Sequence, residues 1–463
     1  MAFLDALEEH PDVEMHSLMV VRHGHVVVEG WWAPYTSERV HLVYSLSKSF
    51  TATAAAFAQA EGLLDLDDTV VSHFPEWGDE ITDPASRSIR LRDVATMASG
   101  HTRDMLDEAL ASDPQEPVRG FLRIPPEGEP GRAFAYSQPC TYALASVIQR
   151  NAGMTLSAYL RPRLFDPLGI GPVGWHCWPP GREQGFSGLH VRTEDVAKLG
   201  QLYLQRGRWG NRQVIPEWWV ADATSRHVDN GGRQADVDWE QGYGYQFWMS
   251  RHGYRGDGAF GQFCVVLPDH DTVVVTTART EAMQAVLDAM WSCLLPGLGQ
   301  PSSPASGPAS GPAPGPASDS RLASRLEGLR LPACDAEPFP IDPREWTREP
   351  FTARGDTAVG SIALSMTDDV WHVTLTEASH AVTVPVGSST WTVSAPLDAL
   401  GEAIPVAASG GFADGRVRIE VIFLETPHRL DIACSLGDRA AELSWRYVPL
   451  MGDSLRLLHC PGS

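Results

Sequence analysis

Residues 41–48 read HLVYSLSK and place Ser45 three positions ahead of Lys48. An alanine-rich stretch follows, SKSFTATAAAFAQAEGLL, in which Phe50, Ala54, Phe57 and Ala58 recur at helical spacing and Gly62 offers a stop. Ser45 and Lys48 therefore share one face at a helix start, where backbone N–H groups lack intrahelical partners.

The chain has 35 serines and 34 arginines but only two lysines, Lys48 and Lys198. Chance placement in 463 residues gives about 0.15 Ser-x-x-Lys matches. A lysine kept among so many arginines points to a task arginine cannot do, because only lysine readily sheds its proton when desolvated. Ser45 reads as a nucleophile and Lys48 as its base. To serve near neutral pH, Lys48 must drop from about 10.4 to about 7 or 8, which costs roughly 3 to 4 kcal/mol. Burial and the positive end of a helix supply that, so Lys48 is expected to be buried with no carboxylate beside it.

At 463 residues the chain exceeds one ordinary domain. A hydrophobic fraction of 43% with 20% charged residues is that of a globular protein. The formal charge of −22 argues against nucleic acid or an anionic membrane as partner and favours a small molecule or short peptide. The acidic N-terminus lacks the basic start and apolar core of a secretory signal, and no apolar run is long enough to span a bilayer. A cytoplasmic location is expected. The seven cysteines show neither CxxC nor Cys/His ligand spacing, so reduced thiols and no metal are expected.

Taken in order, SLMVVRHGHVVVEGWW reads as a hairpin turning at His23-Gly24. Residues 63–130 hold a helical piece near Leu91 and long polar loops, with SGHTRD (99–104) a candidate rim. A helix beginning at Ser137 or Gln138 carries Tyr142, Ala145 and Ile148 on one face. Helical pieces continue to about residue 225, followed by strands GYGYQFWMS, GQFCVVLP and DTVVVTTA and a helix EAMQAVLDAMWSCLL. The pattern predicts an α+β domain over 1–298, an antiparallel sheet flanked by helices beside a helical lobe.

Residues 299–320 form a Pro/Ala/Gly/Ser tract that reads as a semi-stiff linker. Beyond it, 321–463 runs as SIALSMT, VWHVTLTE, AVTVPV, TWTVSA, RVRIEVIF, RLDIACSL and AELSWRYV, which predicts a small all-β antiparallel barrel.

The chemistry needs a proton relay and two oxyanion donors besides the Ser-Lys pair. Tyr136, just ahead of a helix N-terminus, is the relay candidate, with Tyr44 a second. One oxyanion donor is the Ser45 amide. The other is assigned to the Gln262 amide in GDGAFGQF (256–263), where Gly258 and Gly261 allow close approach. Trp175, Tyr243 and Trp248 are candidate pocket walls, and Asp257 a candidate substrate contact.

SLSKSF, the Tyr136-Ser137-Gln138 triplet and the glycine-rich segment resemble the three motifs of the serine beta-lactamase and penicillin-binding-protein superfamily, in its class C-like esterase and amidase branch. EGLLDLDDTVVSHFPEW, RPRLFDPLGI and GYGYQFW are similar to the same branch. The resemblance covers about 15–296 and implies an acyl-enzyme on Ser45, Lys48 as base, Tyr136 as relay, substrate contacts near Gln138 and Gly261, and no cofactor or metal. The C-terminal barrel is expected to be lipocalin-like. Two positions depart from the family pattern. Gln138 stands where Asn is usual, and Ala259 stands where Lys or His usually meets a substrate carboxylate. Arg255 and Arg279 are the candidates to compensate.

The expected activity is hydrolysis of an ester or amide through an acyl-enzyme, on a substrate other than a carboxylated penicillin. Acyl transfer or peptide cyclisation of the penicillin-binding-protein-type thioesterase kind is one alternative, and a catalytically silent binding protein is another. Capping the site, holding a hydrophobic ligand and homodimerisation are the three roles open to the barrel.

Overall fold

The computed structural model describes residues 1–232, 236–299, 316–378, 380–398 and 400–462. The hairpin forms as read: β1 (Glu14–Arg22) and β2 (His25–Trp31) pair antiparallel, with His23 and Gly24 both at positive φ in the turn. After α1 (Ala2–Glu9), these strands join β3 (Trp248–Met249), β4 (Tyr254–Gly258), β5 (Gln262–Leu267) and β6 (Thr272–Arg279). The sheet order is β2-β1-β6-β5-β4-β3, antiparallel throughout. The strand expected over GYGYQFWMS is reduced to two residues, because Gly242, Gln246 and the turn between them take left-handed or irregular backbone.

Three helices frame the site: α2 (Ser47–Ala60), α3 (Gln138–Ala152) and α4 (Thr193–Leu204). All but the last two residues of α2 are buried, which explains its alanines: a helix enclosed on every side needs small side chains where its neighbours approach. One apolar core unites α2 and α3 with the face of the sheet formed by Met19, Cys264, Val266, Val273 and Val275. The opposite face packs on α1 and on α5 (Met283–Ala289).

Of the tract 299–320, residues 300–315 lie outside the described residues; α6 (Pro316–Glu327) begins within its end. The barrel comprises β7 (Phe351–Arg354), β8 (Ser361–Thr367), β9 (Val370–Glu377), β10 (His380–Ser388), β11 (Thr392–Ser394), β12 (Val406–Ala413), β13 (Arg416–Phe423), β14 (Arg429–Ser435) and β15 (Ala440–Trp445). Eight of these close in the order β10-β9-β8-β7-β15-β14-β13-β12, with β11 an extra strand on β12. Two joints, β7 to β15 and β10 to β12, are parallel, so the ring is mixed rather than wholly antiparallel. Strand β12 reads VAASGGFA and carries little β signal. Its glycines are required by space, since a Cβ on Gly411 would fall 2.2 Å from the Glu337 carbonyl oxygen.

The barrel is seated against the sheet unit. Ala407, Ile422 and Leu424 share an apolar cluster with Phe3, Met15, Leu18 and Trp32. Glu14 on β1 bridges Arg279 and barrel residue Arg429, each at 3.0 Å, and Arg429 also contacts Glu420. The Leu42 amide donates to the Glu425 carbonyl at 2.8 Å, three residues before Ser45.

Candidate active site

Ser45 lies in a single 3-10 turn, Tyr44–Leu46, that runs directly into α2. It is half-buried, whereas Lys48, in the first turn of α2, is 1% exposed. Lys48 Nζ donates to Ser45 Oγ at 2.9 Å, to Gln138 Oε1 at 2.7 Å and to the Phe186 carbonyl at 2.8 Å. None of the three acceptors is a carboxylate. Burial brings the lysine down to about 7, and the more distant charges of Asp104 and Asp257 oppose that only partly.

Lys198 is the control built into the same chain. Its Nζ pairs with Glu194 at 2.9 Å and Asp195 at 3.0 Å, and these carboxylates outweigh partial burial and push it above its ordinary value. The two lysines thus differ by environment alone.

Tyr136 precedes α3, whose N-cap is Ser137. Its phenol is a hydrogen-bond neighbour of Ser45, and its ring centroid lies 4.8 Å from Lys48 Nζ. Burial raises the Tyr136 phenol well above the ordinary tyrosine range, so it stays protonated at neutral pH. Gln138 reaches Lys48 because its amide is anchored, donating from its backbone N to Asp104 Oδ1 at 2.9 Å. The extra methylene relative to Asn is accommodated.

The strand that comes closest to the Ser45 turn is β4. A Cβ on Gly258 would fall 2.1 Å from the Val43 carbonyl oxygen and 3.2 Å from the Leu46 nitrogen, so only glycine permits this approach. Gln262 stands across the ladder from Gly258, fully buried, its side chain donating to the carbonyls of Ala259, Phe260 and Ala278. Its side chain is taken up within the sheet. Gly261, at φ +89°, faces Ala278 and Thr280 rather than the serine.

Among the aromatic candidates, Tyr243 and Trp248 surround Tyr136, with Trp248 stacked on it at 5.3 Å and Tyr243 edge-on at 6.2 Å. Trp175 is instead a core residue whose Nε1 donates to the Ser187 carbonyl. Asp257 is buried and pairs with Arg255 at 2.9 Å. Burial outweighs Arg255 and raises the Asp257 carboxyl. Tyr44 is not a relay: its hydroxyl meets His428 of the barrel at 2.5 Å.

Four contributors escape a reading by motif. Asp104 anchors Gln138 and bears on Lys48, and its position in SGHTRD was the available signal. The Phe186 carbonyl, a backbone acceptor, leaves no trace in residue type. Gln246, at φ +60°, ties the scaffold behind the site by accepting from Ser49 Oγ and Thr141 Oγ1 and donating to the Ala95 carbonyl. His428 is the fourth.

The family model described as Beta-lactamase matches residues 4–290. A 6-aminohexanoate-dimer hydrolase of Paenarthrobacter ureafaciens is 24% identical over 315 residues, covering 59% of this chain and 76% of that protein. A lovastatin esterase of Penicillium rubens is 29% identical over 204 residues, covering 39% of this chain and half of that one. The crystal structure of SurE aligns with a TM-score of 0.52 at 19% identity, covering 92% of this chain and 96% of that one, so the fold match includes the barrel. With the family model spanning well over half its length, the chain belongs to the beta-lactamase family of serine hydrolases.

Proposed function

We propose that this protein cleaves a neutral ester or amide through an acyl-enzyme on Ser45, with residues 1–298 as the catalytic unit and 321–463 as an appended barrel. The observation that carries the reading is the buried Lys48 ammonium site, 2.9 Å from Ser45 Oγ and brought to about 7 without a carboxylate partner. Neutral Lys48 takes the proton as Ser45 Oγ attacks the carbonyl carbon. The oxyanion is received by the amides of Ser45 and Ala259, the residue that follows Gly258 at the closest approach of β4. Lys48 then returns its proton through the Tyr136 hydroxyl to the departing alcohol or amine. In deacylation, water gives a proton to Lys48 as its oxygen joins the acyl carbon, and Ser45 Oγ takes that proton back as it leaves, releasing the acid.

Substrate preference follows from charge. Arg255 is committed to Asp257 and Arg279 to Glu14, so neither is free to meet a substrate carboxylate. Ala259 packs instead on the cluster of Leu42, Tyr44 and Phe260, on which Tyr447 and Met451 also pack, an apolar surround that favours a neutral group over a carboxylate. The relatives named as a dimer hydrolase and an esterase support amide and ester chemistry.

A fluorophosphonate probe tests the core of the proposal: labelling of wild type and none of Ser45→Ala is expected, and an unlabelled folded wild type would sink it. A p-nitrophenyl ester panel comparing neutral and carboxylate-bearing acyl groups of equal length then tests the preference. Adding amine acceptors to the same assay separates hydrolysis from acyl transfer.

A further inference from the structure

The two turns that flank the oxyanion site are both held in left-handed backbone, and both rest on one barrel side chain. Tyr44, immediately before Ser45, has φ +47°, and Phe260, immediately after Ala259, has φ +67°. Bulky residues are strained in this region and persist only where surrounding contacts hold them. Both residues are met by the barrel: Phe260 by the Tyr447 ring at 5.5 Å, Tyr44 by the Leu450 backbone, and both by His428. Tyr44 Oη lies 2.5 Å from His428 Nε2, the Phe260 ring meets the imidazole edge-on at 5.7 Å, and the Tyr44 and Phe260 rings meet each other at 5.4 Å.

The imidazole has its protonation fixed. His428 Nδ1 donates to the Tyr447 carbonyl at 3.1 Å, which leaves the Nε2 lone pair to accept the Tyr44 hydroxyl proton. Burial takes His428 down to about 3, so it is neutral wherever Lys48 is functional, and burial keeps the Tyr44 phenol protonated. Tyr44, His428 and Phe260 are all nearly inaccessible.

We propose that His428 is a positioning residue for the catalytic unit: by holding Tyr44 and Phe260 it sets the spacing between the Ser45 and Ala259 amides, and the barrel thereby completes the oxyanion site. This rests on the acyl-enzyme reading above. His428 does not touch the substrate, and its action runs wholly through the two turns.

The test uses the full chain and the rate of fluorophosphonate labelling at Ser45, together with kcat and KM for a short neutral p-nitrophenyl ester. Three variants are compared: Tyr44→Phe, which keeps the ring and removes the donor; His428→Asn, which keeps the Nδ1 donor position and removes the Nε2 acceptor; and His428→Gln, which places an acceptor near Nε2. Labelling and kcat are expected to fall about tenfold or more in Tyr44→Phe and His428→Asn, with KM within about twofold, because a misplacement of about 1 Å costs up to about a hundredfold. The double variant should be no worse than either single one, and His428→Gln should recover to within about threefold of wild type. Tyr44→Phe conserves the packing, so it reports even if the His428 variants fold poorly. Unchanged labelling in folded Tyr44→Phe, or losses that add in the double variant, would overturn the positioning role while leaving the acyl-enzyme intact. A wild type that does not label would refute both.

Discussion

Lys48 Nζ donates to Gln138 Oε1 across 2.7 Å, and the Gln138 backbone is itself fixed by Asp104 at 2.9 Å. The lysine is thus aimed at Ser45 from the far side by an amide rather than a carboxylate. An amide oxygen orients the ammonium without pinning its charge.

Replacing Gln138 with Leu removes that acceptor from the charged form of Lys48. Acylation by a neutral ester should fall about tenfold, and the pH midpoint for acylation should move to lower pH, since a hydrogen bond that favoured the ammonium is gone. Stopped-flow burst rates between pH 5 and 9 check both. A midpoint that moves upward would contradict the assigned role.

In the wild type, acylation should rise with pH through a midpoint near 7 as Lys48 loses its proton. Stability should carry the same signature. The folded lysine sits below its unfolded value of 10.5, so the unfolded chain holds more protons between about pH 7 and 10.5 and stability rises with pH across that window. Burying the charge costs roughly 4–5 kcal/mol below pH 7. The stability of Lys48→Met relative to wild type should therefore shrink by roughly 2–3 kcal/mol from pH 6 to pH 9 in urea denaturation.

Glu14 sits between Arg279 and Arg429 at the seam between sheet and barrel. Burial opposes its ionisation, but His16 and Arg279 outweigh burial and hold the carboxyl well below the usual range. A depressed carboxyl contributes stability above its unfolded value near 4.5 and loses it as pH falls further. Glu14→Gln should cost about 3 kcal/mol at pH 7 by leaving two arginines short of a partner, and should flatten the acid limb of the stability profile below pH 4.5. Equal acid limbs in the two proteins would remove Glu14 from the seam's energetics.

Cutting the chain after residue 298 exposes the face that Ala407, Ile422 and Leu424 cover and deletes the Glu425 acceptor of the Leu42 amide. The truncated protein should melt at lower temperature, bind a hydrophobic dye and label at Ser45 more slowly than the full chain. Full-rate labelling of a well-folded 1–298 fragment would show the catalytic unit to be self-sufficient.

The Ser45–Lys48 pair was legible because it is local. A three-residue spacing from the 3-10 turn into the start of α2 carries the geometry, and the scarcity of lysine supplied the contrast. Tyr136 was legible through its helix start, and the hairpin through alternation and the His23-Gly24 turn. Which glycine of GDGAFGQF lies against the Ser45 turn is not legible in residue type: it is Gly258. Only three residues separate Gly258 from Gln262, and the turn through left-handed Phe260 sets the two opposite each other on adjacent strands, which no propensity encodes. Tyr44 lies next to the serine yet points away, since positive φ turns its ring toward the barrel. His428 lies 384 residues from its partner, so its meaning arises only when the barrel docks.

Modules joined by a proline-rich tether are often treated as interchangeable cargo. Here the sheet unit and the barrel are fastened to each other by an apolar seam, a shared carboxylate and a tyrosine reaching from one into the other. A chimera taking its barrel from a relative would inherit a catalytic turn without its brace unless the partners of positions 14, 42 and 44 travelled with it. The portable unit of this protein is the whole chain.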